Sequence, residues 1–127
     1  MSDTEIKSFR DLVAWRLAFA LGLDTIRELR VFPADERFGL ALQLRRSAVS
    51  VASNIAEGFG RGSRTDYTRL LYIARGSLYE LNTQIQFAAE LGYLDRESST
   101  RLAGQIDECE RVLWGLIRAI ERRPVEA

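Results

Sequence analysis

The sequence predicts an all-α fold, an antiparallel up-and-down four-helix bundle, on three observations. Apolar residues recur at intervals of three and four along four long segments, the signature of helices that bury one face. The breaks between segments are short and carry helix-stopping and helix-starting residues: Val31-Phe32-Pro33, the Gly58/Gly60/Gly62 cluster, and Gly92 followed by Asp95. No stretch alternates apolar and polar residues as a half-buried strand would. Four helices with short connections pack as antiparallel neighbours.

The first helix is expected to start at Ser8, where Ser8 and Asp11 form a capping box, and to run to about Arg30. Its expected core stripe is Leu12, Trp15, Phe19, Leu23 and Ile26. Val13, Leu17, Ala20 and Leu21 lie off that stripe and give the helix a second apolar face. Pro33 suits the first turn of the second helix, and Asp35 and Glu36 suit its electropositive end. That helix is expected to reach about Phe59, where the glycines supply a tight or left-handed turn.

Ser63 caps the third helix, with Asp66 three residues on. Tyr67, Leu70, Ala74, Ser77, Leu78, Leu81, Ile85 and Ala88 form its core stripe, and Gly92 ends it. Asp95 opens the fourth, whose core stripe is Leu102, Ile106, Cys109, Leu113, Leu116, Ile117 and Ile120. Pro124 closes it. The chain reads as one domain, residues 1–127, with helices over about 9–122 and short polar tails.

The second helix is the centre of the expected packing. Leu40, Leu44, Ala48, Val51 and Ile55 share one stripe; Phe38, Leu42, Val49, Ala52 and Ala56 share another. Between them runs a thin polar seam: Gln43, Arg46, Ser50, Ser53, Asn54, Glu57 and Arg61. A helix apolar over more than half its girth has neighbours on both sides, so the seam is expected to find partners inside the bundle. The expected network sets Arg46 against Glu57 or Glu80, with Ser50 and Asn54 filling the gaps. Its role is structural, fixing helix register.

Composition narrows the chemistry. Of 127 residues 46% are hydrophobic and 28% charged, the mark of a globular chain, and Lys+Arg equals Asp+Glu, so net charge supplies no general pull toward polyanions. There is no histidine, which removes His-dependent acid–base catalysis, Ser-His-Asp and Cys-His arrangements, and the Glu-x-x-His pairs of di-metal bundles. The single cysteine, Cys109, excludes an intrachain disulfide and lies on a core stripe, where an inert thiol is expected. No apolar run is long enough for a signal peptide or a membrane span, so a soluble cytoplasmic protein is expected. The Glu57–Ser63 turn is glycine-rich before a helix start, but lacks the GK[ST] ending of a phosphate-binding loop. Trp15 and Trp114 are packing residues, the latter at a stripe edge. No catalytic residue, metal ligand or cofactor site is expected.

Two surfaces stand out. The apolar patch of Val13, Leu17, Ala20 and Leu21 is one a monomer should not expose, which predicts a homo-oligomer. Arg69, Tyr72, Arg75 and Tyr79 share the outward side of the third helix, with Arg61 and Arg64 at the turn before it. From Arg37 to Arg75 there are seven arginines against two carboxylates. Arginine and tyrosine interleaved on an open face suit phosphate contact and base stacking, hence weak binding of RNA or single-stranded DNA. A single basic-aromatic stripe is a weak nucleic-acid signature, so a solvated face or a subunit contact is the favoured reading of it.

The segments FRDLVAW, FPADERFGL, SVASNIAEGFGRGS and IARGSLYEL resemble the four-helix bundle protein family, also called the 23S ribosomal RNA intervening-sequence protein family. That family is related to the accessory variability protein of diversity-generating retroelements. The resemblance runs from about Phe9 to Ile120. It implies a cytosolic bacterial protein, an antiparallel four-helix bundle, often a homopentamer, and no established enzymatic activity; the retroelement relatives bind nucleic acid and work with a reverse transcriptase. Two functions follow as expectations: a non-enzymatic oligomeric scaffold able to bind nucleic acid weakly, or a module that docks a partner protein without it.

Overall fold

The computed structural model describes residues 5–122. Four helices carry the chain: α1 Val13–Glu28, α2 Leu40–Phe59, α3 Arg64–Glu90 and α4 Arg96–Glu121. Each packs on its neighbours in sequence, and α1 meets α4 to close the bundle. Among the described residues there is no strand.

The ends form where local chemistry dictates. Ser8 and Asp11 do make a capping box, the Ser8 Oγ accepting from the Arg10 N–H and the Asp11 carboxylate from the Ser8 N–H, but it caps a 3-10 turn at Phe9–Asp11. The backbone is extended at Leu12, and α1 starts one residue later. At the other end, Ser63 Oγ accepts from the Asp66 N–H and Asp95 Oδ1 from the Ser98 N–H, capping α3 and α4 as expected. Gly92 takes φ +80°, a left-handed stop that L side chains resist, while the Tyr93 N–H reaches back to the Ala88 carbonyl.

The second helix begins later than the sequence suggests. Pro33, Asp35 and Glu36 belong to a 3-10 turn at Ala34–Glu36, and α2 starts at Leu40. Glu36 instead braces two connections. Its Oε1 accepts from the Leu40 N–H and its Oε2 from the Tyr93 hydroxyl, both at 2.9 Å. These bonds hold its carboxyl below the ordinary value of 4.5, the Leu40 amide contributing most.

The turn after α2 is the tight alternative, with no left-handed glycine; Gly92 alone has positive φ among the described residues. Gly58 serves close approach: a Cβ there would lie 3.1 Å from Tyr67 and 3.2 Å from the Leu70 Cβ, where α2 and α3 nearly touch.

The core is built unevenly. In α3 and α4 the expected stripes are buried, from Leu70 to Ala88 and from Leu102 to Ile120, with Tyr67 and Leu116 half-covered at the edges. In α2 the stripe from Leu44 to Ile55 is buried. In α1 the expected stripe is turned outward except at Leu12, just before the helix, which is buried. Ala14, Ala18, Leu21, Gly22 and Thr25 face the core, whereas Trp15 and Ile26 are half-covered and Phe19 and Leu23 exposed. The small residues explain the rotation. With Ala or Gly at every fourth position α1 settles close against α2, so that a Cβ on Gly22 would meet the Ala48 carbonyl oxygen at 3.4 Å. Thr25 satisfies its own hydroxyl on the Leu21 carbonyl.

Candidate functional site

The rotation of α1 leaves an apolar groove on the surface. Its aromatic and aliphatic side chains, Trp15, Phe19, Leu23 and Ile26, form one wall of an open groove; Val49, Ala52 and Ala56 of α2 form the other; Ala18, Gly22 and Ala48 are the floor. The groove has a volume of about 330 Å³ and is lined almost wholly by carbon. Phe19 stays 47% exposed and Val49 49%. Trp15 stacks on Phe19 with centroids 4.9 Å apart and meets the Phe9 edge at 5.1 Å, so the wall is pre-shaped. A separate pocket at the α1–α2 connection is lined by Leu29, Phe32, Leu42, Arg37 and Arg45.

The expected patch is not all at the surface. Val13 and Ala20 are exposed and Leu17 half-covered, but Leu21 is 1% exposed and points into the core. Leu21 cannot contact another subunit, because α1 turns the Ala14–Ala18–Gly22 side, and Leu21 with it, inward. The groove residues were legible as apolar but assigned to the core. Two signals mark them: small residues at 14, 18 and 22, and the second apolar stripe of α2 at 49, 52 and 56.

The polar seam is shorter than expected. Asn54 donates through Nδ2 to the Ser50 carbonyl and hydroxyl, both at 2.9 Å, and Ser50 Oγ lies 2.9 Å from Ser77 Oγ on α3. This three-residue bridge joins α2 to α3. Arg46, Glu57 and Glu80 are not part of it: all three are exposed, and Glu57 pairs with Arg61 one turn on. Arg46 and Glu80 line an open groove between α2 and α3 without forming an ion pair. The reason is length. Long charged side chains at the edge of a helix contact reach water and avoid the desolvation cost that short hydroxyls and amides can offset with local bonds.

The Arg/Tyr stripe is outward but internally engaged. Arg75 Nε donates to Glu110 of α4 at 2.7 Å, its Nη2 to the Tyr79 hydroxyl at 3.2 Å, and its guanidinium stands 4.3 Å over the Trp114 ring. The bond to Glu110 raises the Arg75 pKa further. The Tyr72 hydroxyl donates to Glu121 at 2.9 Å, which pushes its own pKa up. Arg69 lies 3.8 Å from Asp66, and Arg61 pairs with Glu57. Arg64 is half-buried at the start of α3. The sequence reading missed the carboxylates of α4, Glu110 and Glu121, because nothing local places them opposite α3.

Cys109 is fully buried and its thiol is pushed up to about 12 by desolvation, so it is no nucleophile at neutral pH. Among the described residues no group of three or more His, Cys, Asp or Glu could hold a metal ion, and no helix is long and apolar enough to cross a membrane.

Fold and surface thus define a class: a four-helix bundle with an open apolar groove between α1 and α2. Residues 10–115 match the model of the 23S rRNA-intervening sequence protein family, and the chain belongs to that family. A crystal structure of a protein of unknown function from the S23 ribosomal protein family of Bacteroides thetaiotaomicron is similar in fold, with a TM-score of 0.77 at 21% identity over 83% of this chain and 98% of that one. No curated protein matches this chain.

Proposed function

We propose that this chain is a non-enzymatic scaffold that works as a homo-oligomer, assembled through the open α1/α2 face. One observation carries the reading: a continuous groove of about 330 Å³ walled by Trp15, Phe19, Leu23 and Val49 lies uncovered on a single subunit. Exposed apolar surface of this kind is the usual mark of a contact surface. A closed ring of five copies is the assembly that the family resemblance implies. Val13, Leu17 and Ala20, on the adjacent side of α1, would widen the contact.

Weak binding of RNA or single-stranded DNA on the Arg/Tyr face is the lesser reading. Arg61, Arg69 and Arg75 each already face a carboxylate, so a phosphate would have to displace an existing partner. Docking of a different protein on the same groove remains the alternative to self-association, and the experiment separates them. Sedimentation velocity of the purified protein across micromolar concentrations should show a species heavier than the 14.4 kDa chain, and Phe19→Arg should return it to the monomer. A wild-type protein that stays monomeric throughout would overturn the scaffold reading and leave the groove to a foreign partner.

A further inference from the structure

The segment FPADERFGL, residues 32–40, has no part in the scaffold reading. It contributes Phe32 and Arg37 to the separate pocket at the α1–α2 connection, whose volume is about 240 Å³. The lining is layered by depth. Phe32 is buried, and Leu29, Ala41 and Leu42 are half-buried, so the inner surface is carbon; Arg37 and Arg45 are exposed, so the charge stands at the water. No carboxylate lines the pocket among the described residues, and neither arginine has an ion pair there. Arg37 stands 4.8 Å over the Phe38 ring, which supplies no counter-anion. The acids of the same connection are turned elsewhere. Glu36 accepts from the Leu40 N–H and the Tyr93 hydroxyl, and Asp35 lies close enough to Tyr93 to help raise its pKa. The acidic side of the connection thus serves the α3–α4 turn, and the basic side is left to the pocket.

We propose that this pocket binds a small organic anion, a carboxylate or phosphate group on a compact apolar body. Arg37 and Arg45 would hold the anionic group, and Phe32 and Leu42 would cover the body. Two cations on one concavity with no acid beside them raise a local positive potential that an anion relieves. The forked guanidinium matches the oxygens of carboxylate and phosphate alike. An apolar interior with a few polar groups at its mouth sets the orientation, body inward and charge outward. The volume suits a single ring with its acid group, since a cavity of about 150 Å³ already accepts benzene. A neutral apolar ligand would leave both arginines without a partner, and a long polyanion would leave the carbon-lined recess empty. The pocket shares no lining residue with the α1/α2 groove, so the proposal stands or falls apart from the scaffold reading.

Saturation-transfer NMR on the full chain tests it, with benzoate and phenyl phosphate as probes at millimolar concentration. Both should receive magnetisation from the protein, and benzyl alcohol, which has the ring without the charge, should receive little. Inorganic phosphate, which has the charge without the ring, should displace benzoate poorly. Arg37→Gln and Arg45→Gln should each weaken benzoate binding about fivefold, the scale of one charged contact at an exposed site, and the double variant should abolish the transfer. Arg46→Gln removes an exposed arginine of α2 outside the pocket and should bind as wild type does. Circular dichroism melts show whether each variant is folded; where a Gln variant is not, the Lys variant, which keeps the charge but not the fork, takes its place. No transfer to either ring anion would overturn the proposal, and so would full binding by the double variant. Displacement by inorganic phosphate as effective as benzoate itself would reduce the site to an adventitious ion only. Displacement by a single-stranded oligonucleotide that depends on Arg37 and Arg45 would make the pocket a phosphate-backbone contact and overturn the small-anion assignment.

Discussion

The two halves of this bundle solve the packing problem in opposite ways. In α3 and α4, large aliphatic side chains such as Leu78, Leu81, Leu113 and Ile117 are fully buried, and the outer surface is tied by Arg75–Glu110 and Tyr72–Glu121. In α1 small residues, Ala14, Ala18 and Gly22, share the buried face with Leu21 and Thr25, Gly22 meets Ala48 of α2, and the aromatic and aliphatic bulk of Trp15, Phe19 and Leu23 stands outside. One half buries its largest aliphatics in its own core, although Ile73 and Phe87 on α3 and Leu91 at its end stay exposed. The other holds back Trp15, Phe19, Leu23 and Val49 for a surface that a lone subunit does not cover. The difference teaches where stability and where association reside.

The contrast is broken most severely at a core position of α4. Leu113→Ala should destabilise by about 2–5 kcal/mol, the range for a large buried aliphatic that leaves a cavity. Phe19→Ala should leave the isolated subunit within about 0.5 kcal/mol of wild type, as for ordinary surface changes. Urea unfolding at concentrations low enough to favour monomer measures both; equal losses would mean that Phe19 belongs to the core after all.

A smaller effect is expected at the small-residue crossing. Ala18 has no exposed surface and packs in the groove floor, so Ala18→Leu should cost about 1–3 kcal/mol by overpacking. Since enlarging the floor also lifts α1 off α2, the same variant should lose self-association. A variant of wild-type stability would show the α1–α2 contact to be loose.

The uneven core also explains what the sequence made legible. For α3 and α4, bulk and burial coincide, so the stripes from Leu70 to Ala88 and from Leu102 to Ile120 could be read from periodicity alone. For α1 they diverge. Trp15, Phe19 and Leu23 have the spacing of a core stripe, and periodicity cannot say whether a stripe faces its own bundle or another molecule. The stripe of Ala14, Ala18 and Gly22 was the competing signal, a close-packing face whose weight depends on how near α2 comes. The candidate site followed the same division. Asn54 bonds Ser50 one turn back, a contact local enough to be legible, and Ser50 meets Ser77 across 27 residues, whereas Arg46, Glu57 and Glu80 went to water because long side chains at a helix edge can. The partners of Arg75 and Tyr72 lie 35 and 49 residues away, beyond any local pattern.

The mildest test concerns the connections that hold the two halves in place. Glu36 has a lowered pKa because it accepts from the Leu40 amide and the Tyr93 hydroxyl. A depressed carboxyl adds stability above its unfolded value, here 4.5, and loses it as pH falls through the lower folded value. Unfolding midpoints followed from neutral pH to the acid side of 4.5 should therefore decline, and Glu36→Gln should flatten part of that decline. An identical pH profile in the variant would show that Glu36 does not couple the α1–α2 and α3–α4 connections.

The central claim, that the α1/α2 face is covered when the protein is assembled, is tested most directly by the fluorescence of Trp15. The chain has two tryptophans, and Trp114→Phe leaves Trp15 as the sole reporter within the groove wall. Its emission should move to shorter wavelength as concentration rises from the monomeric to the assembled range, and that movement should vanish when Phe19→Arg is added. Emission that stays fixed while sedimentation shows assembly would place the subunit contact elsewhere and contradict the account.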